Sequence, residues 1–167
     1  MTKKMQITIP LPDDIKKKDR ARLFGDIIER IRSRTEEGFD FGGSRWRGKA
    51  GKYTKGYLNS TDFKATGKSP QPVNLTLSGD MIISLDVIDD KGKAVVIGFE
   101  KGDENAGKAE GNHFGTYGKP EPIAGKARPF LGFVKKEVDT LARIITEYSD
   151  VGYDKIKDIL KRKEIKP

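Results

Sequence analysis

The chain has 167 residues, 35% of them hydrophobic and 35% charged, with 19 glycines, one histidine, no cysteine and a formal net charge of +8. That length fits one domain, and the lean apolar content suggests a compact part carrying long polar segments. The absence of cysteine excludes a disulfide framework, a thiolate nucleophile and a Cys-based zinc site, so intracellular assembly is the simpler reading.

Lys3 and Lys4 precede Met5-Gln6-Ile7-Thr8-Ile9 and Pro10, a run too short and too interrupted for a signal-peptide core. Nowhere do about 18 apolar residues run together, so a soluble, unanchored chain with no membrane partner is expected. The apolar/polar alternation from Met5 to Ile9 predicts a short strand closed by Pro10 and Pro12. A helix should follow, capped by Asp13 or Asp14. Its apolar stripe is Ile15, Leu23, Phe24, Ile27, Ile28 and Ile31, and Gly38 ends it.

From Gly38 to Pro72 no periodicity survives the seven glycines, and a long loop is expected, of the kind that is functional or orders on a partner. The stretch is also the most basic, with seven cations against two carboxylates, whereas residues 73–127 carry six against nine. Phe39, Phe41, Trp46, Tyr53, Tyr57 and Phe63 set it apart from an inert linker. Arg45, Trp46, Arg47, Lys49, Lys52, Tyr53 and Tyr57 are its candidate contact residues, because cations neutralise phosphates or carboxylates and aromatic rings stack or anchor. Lys55, Lys64 and Lys68 extend the same basic run.

Leu77, Met81 and Leu85 lie four apart and predict a short helix with Ser78 as its cap. Asp86 to Asp89 and Ala94 to Phe99 read as two strands joined by a turn in which Gly92 takes a positive φ. Glu104 to Asn112 forms a helix, a Gly/Pro-rich run follows from Gly115 to Lys126, and Val134, Val138, Leu141, Ile144 and Ile145 begin a final helical stripe. Gly152 interrupts that stripe before Ile156, Ile159 and Leu160. The expectation is an α+β chain: one domain over 1–167, a small antiparallel sheet packed against an N-terminal and a C-terminal helix, and 38–72 as a long extended loop or arm.

An ordered series stands out in the middle of the chain. It comprises Gly42-Gly43-Ser44-Arg45-Trp46, Leu77-Ser78-Gly79-Asp80-Met81 with Ser84, Ile97-Gly98, Ala109 with His113 and Gly115, and Ala127-Arg128-Pro129-Phe130-Leu131-Gly132. In this order and spacing the series resembles the phage virion-morphogenesis family, the tail-completion and head-to-tail joining proteins of Mu-like and related phages. The resemblance spans residues 38–148 and implies a non-enzymatic structural protein that forms a homo-oligomeric ring, as a tail terminator or a head-tail connector in the neck. It also implies tail-tube, neck or connector partners, DNA passing through the ring, a place in the virion, and assembly in the host cytoplasm.

The shared residues have a physical sense of their own. Pro129 holds Arg128 extended, so that its guanidinium can reach a carboxylate while Phe130 and Leu131 anchor the last helix. Gly79 and Gly98 fit close backbone approach. His113, the only histidine, excludes a His-rich metal site and is read as structural or as an interface residue. No Gly-x-Ser-x-Gly elbow occurs; Ala65-Thr66-Gly67-Lys68-Ser69 lacks the first glycine and the preceding strand of a phosphate loop; and calcium-loop spacing is missing around Glu100 to Asn105. The expectation is therefore no enzyme and no cofactor. A stand-alone basic nucleic-acid-binding module is the alternative to the virion reading.

Overall fold

The computed structural model describes residues 4–75, 79–162 and 164–167. Its architecture is the expected α+β one, built on a three-stranded antiparallel sheet ordered β1 (Gln6–Pro10), β3 (Ala94–Gly98), β2 (Asp86–Asp90). Val95, Val96 and Ile97 are all buried, as suits a central strand. Their partners Ile9 and Ile7 lie opposite Val95 and Ile97 on β1. The edge strand β2 is acidic and irregular, with a register shift between Val87 and Asp89, two devices that discourage further strand addition. The hairpin closes as read, with Gly92 at φ 78°. Gly98 is fixed by proximity: a Cβ there would fall 2.7 Å from Gln6 Cα and against the Met5 carbonyl.

Helix α1 (Lys17–Glu36) buries Leu23, Phe24, Ile27, Ile28 and Ile31 along its stripe. Neither Asp13 nor Asp14 caps it; Lys16 occupies the cap with no side-chain bond. Asp14 instead accepts hydrogen bonds from Ser149 Oγ and the Asp150 amide, each at 2.6 Å. Those bonds, that of Ser149 first, hold its carboxyl below the usual range and tie the N-terminal segment to the other end of the chain.

Short helices α2 (Lys55–Leu58) and α3 (Thr61–Ala65) interrupt the expected loop, each begun by a hydroxyl cap, Thr54 and Ser60. The segment 38–72 is otherwise irregular, but it lies on the body of the chain. Trp46 and Ala50 join the main apolar cluster, and Phe63 is buried against Tyr53 and Tyr57. The expectation that this stretch orders only on assembly changes accordingly: its anchors are already in place within one chain.

Helix α4 (Asp80–Ile83) starts at Gly79. Leu77 and Ser78, the expected first apolar residue and cap of this helix, lie outside the described residues. Gly79 is required for its φ of 87° rather than for close approach, its nearest neighbour being the Ile83 side chain. Met81 and Ile82 are buried. Helix α5 (Glu104–Phe114) packs on α4 and ends at Gly115. The closing stripe becomes a helical hairpin of α6 (Lys136–Thr146) and α7 (Tyr153–Lys161), with Leu141, Ile145, Ile156 and Leu160 buried between and beneath them. Helix α6 also packs on α1, and α7 reaches β1.

Candidate functional site

Residues 127–134 run through the middle of the molecule with hydrogen bonds on several sides. The Arg128 amide donates to Asn112 O at 2.8 Å, the Phe41 amide to Pro129 O at 3.0 Å, the Phe133 amide to Ile165 O at 2.8 Å and the Val134 amide to Phe41 O at 3.1 Å. His113 is buried beneath the segment, and its Nδ1 accepts from the amides of Phe130 and Leu131 at 3.3 and 3.4 Å. Phe130 and Leu131 are fully enclosed. At Gly132 a Cβ would press on the Ile165 carbonyl and come within 2.8 Å of the Phe41 ring. Among the described residues the Arg128 guanidinium meets no carboxylate, contrary to expectation. Its Nε donates to Ala50 O at 2.8 Å and its Nη2 to Lys52 O at 3.2 Å, so the cation clasps the backbone of the basic segment.

A second buried cation holds the same segment from the opposite partner, α1. Arg34, 1% exposed, donates to the carbonyls of Phe130 and Gly132, lies 4.7 Å over the Phe133 ring and meets Glu137 Oε2 at 3.2 Å. Arg30 adds two bonds to the same carboxylate, at 2.7 and 3.1 Å. Burial draws Arg34 down to about 10 against the pull of Glu137, which leaves it protonated at neutral pH. Burial alone would raise Glu137, but the Arg30 bonds and the Arg34 charge outweigh it and hold the carboxyl below its usual range. This network has a structural role: it fastens α1 to α6 across the 127–134 segment.

An open cleft of about 550 Å³ combines aromatic, apolar and cationic walls. Tyr53, Tyr57 and Lys68 come from the basic segment, Met81 from α4, Lys108 from α5, and Tyr117, Ile123, Lys126 and Arg128 from the run beyond it. The Tyr53 hydroxyl donates to Asn74 O at 2.7 Å, while Lys68 Nζ and Arg128 Cζ lie 5.1 and 5.6 Å from its ring centroid. Burial, with the nearby Arg128 charge, draws Lys68 down to about 8. Burial likewise raises Tyr53, Tyr57 and Tyr117.

The sequence-derived contact residues therefore divide. Tyr53 and Tyr57 line the cleft, Trp46 is a core residue, and Arg45 donates to Glu37 O while covering the Phe39 ring. Arg47, Lys49 and Lys52 are exposed and make no ion pair among the described residues. Tyr117, Ile123 and Lys126 were not singled out; an aromatic and a branched apolar residue inside a Gly/Pro-rich run was the available signal. Among the described residues no group of three or more carboxylate or imidazole side chains could hold a metal ion, and no helix is long and apolar enough to cross a membrane. Comparison with protein-family models, curated proteins and solved structures returns no match.

Proposed function

We propose that the chain is a non-enzymatic structural protein of a phage particle that completes the tail or joins it to the head or neck by closing into a homo-oligomeric ring. The observation that carries this reading is the resemblance itself, read together with where its residues lie. His113, Arg128, Pro129, Phe130, Leu131 and Gly132 all meet at the 127–134 segment, and Gly98 holds the sheet closed. Residues chosen for the fold rather than for a reaction are what a shared scaffold of assembly proteins requires. Ring closure then needs heterologous contacts between unlike surfaces, for which the exposed cations Arg47, Lys49 and Lys52 offer one side and the acidic strand β2 the other.

Native mass spectrometry and negative-stain microscopy of the purified chain, alone and coexpressed with tail-tube and neck proteins, test the proposal. The expected result is a closed ring, alone or with a partner. A chain that stays monomeric at all concentrations and copurifies with none of them overturns it.

The same three exposed cations favour one further reading, a basic nucleic-acid-binding module. That reading expects DNA or RNA affinity that falls steeply with salt. No binding of duplex or single-stranded probes at low salt removes it.

A further inference from the structure

Elsewhere in the chain several fixed cations are held by carboxylates, Arg20 by Asp90, Arg30 and Arg34 by Glu137 and Lys157 by Asp139, while Arg32 and Arg45 are held singly by backbone carbonyls. The cleft differs in bringing two cations together. Lys68 and Arg128 converge on the Tyr53 ring, and neither has an ion-pair partner among the described residues. The nearest acceptor for Lys68 Nζ is the Asn74 carbonyl, at 3.5 Å. Two neighbouring cations on a half-buried wall repel one another and have lost part of their hydration, which is why the Lys68 ammonium titrates low. An incoming carboxylate relieves both penalties at once. Beside these cations the lining includes the aliphatic side chains of Leu75, Met81 and Ile123, two more lysines, Lys108 and Lys126, and one carboxylate, Asp80, so cations outnumber carboxylates four to one.

We propose that this cleft docks an acidic peptide segment of a partner protein, seating a carboxylate against Lys68 and Arg128 and an aliphatic side chain against Leu75, Met81 and Ile123. The proposal is independent of the phage reading. Its volume, about 550 Å³, suits a few side chains rather than a folded domain. A nucleic-acid strand fits less well, because stacking needs open aromatic faces. Tyr53 is already engaged by Lys68, Arg128, Tyr57 and Phe63, and Tyr57 packs on Phe63 with ring centroids 5.2 Å apart, which leaves Tyr117, 40% exposed, as a single open ring where a strand needs successive ones.

The experiment selects a displayed random-peptide library on the full chain and measures binding of a labelled enriched peptide by fluorescence anisotropy. Enriched sequences are expected to place Asp or Glu close to Leu, Ile, Val or Met. Binding should weaken about tenfold or more in Lys68→Glu and in Ile123→Asp, a tenfold change being about 1.4 kcal/mol, and hold in Lys155→Glu on the exposed face of α7. Circular dichroism of each variant, with Lys68→Gln as the milder change, separates a lost contact from a lost fold. Side-chain NMR should show the Lys68 titration moving up from about 8 when the peptide is bound. Four results overturn the proposal: no enrichment, enriched peptides without acidic residues, binding indifferent to Lys68→Glu, or a single-stranded oligodeoxynucleotide occupying the cleft in the peptide's place.

Discussion

Glu137 is the residue whose charge matters most to the interior. It is 2% exposed and is the carboxylate partner of a guanidinium that is itself fully enclosed. Glu137→Gln would leave Arg34 buried beside a neutral group, and the expected loss of stability is about 3 to 5 kcal/mol, read from urea unfolding. Replacing both partners, Arg34→Met with Glu137→Leu, should recover part of that loss, since no fully buried charge is stranded, although Arg30 loses its carboxylate and the carbonyls of Phe130 and Gly132 their donor. The acid limb follows from the same site. Because the folded-state pKa of Glu137 is depressed, its contribution is present above the unfolded value of about 4.3 and is lost as pH falls through the lower folded value. Urea midpoints should therefore drop below about pH 4.3, and Glu137→Gln should flatten that part of the profile. Gly98→Ala makes a different test: its methyl would lie 2.7 Å from Gln6 Cα, and a loss of about 2 kcal/mol or more in thermal or urea unfolding is expected.

At the scale of elements, the regular periods could be read directly. The alternation of Met5 to Ile9, the Gly92 turn and the stripes of α1, α6 and α7 each follow from short-range spacing, which is the information a sequence carries openly. The pairing of Arg34 with Glu137 was hidden because Arg and Glu on helices usually mark solvated faces. Their positions gave the one clue, for Arg34 falls three residues beyond Ile31 and Glu137 four before Leu141, each on an apolar stripe. The segment 38–72 was illegible for another reason: its order comes from tertiary anchors, not from any period. Trp46 and Ala50 enter the core and Arg128 binds the carbonyls of Ala50 and Lys52. Trp46→Ala should accordingly cost about 3 to 5 kcal/mol. Deleting 44–66 should unfold the chain instead of trimming an appendage, which loss of cooperative melting would show. The cleft was half legible, since Tyr53, Tyr57 and Lys68 announced themselves by composition whereas Met81, Tyr117 and Ile123 are brought to it by the fold.

For the whole molecule, charge is distributed by region, with the net +8 drawn largely from 38–72, which alone contributes +5. Three of its cations, Arg47, Lys49 and Lys52, project outward from a backbone fixed by Arg128, so the positive patch is presented on a rigid support. Reversing all three to Glu should leave the melting temperature within a few degrees, because exposed unpaired charges contribute little to stability. If the chain closes into the ring we propose, native mass spectrometry of the same variant should show that assembly weakened, and raised salt should weaken assembly of the unaltered chain in the same direction.

The order of the sheet also sets a schedule for the chain's own synthesis. Gln6 is registered with Gly98, so the strand made first waits for the strand made third, and the acidic strand that precedes β3 pairs with it on the other side. A ribosome emits residues in sequence, and contacts so distant close slowly. Helix α1 must likewise travel with part of its buried stripe uncovered until α6 emerges to pack on it. The nascent chain therefore stays aggregation-prone through most of translation, from the completion of its first helix at Glu36 until α6 at Lys136–Thr146 is made.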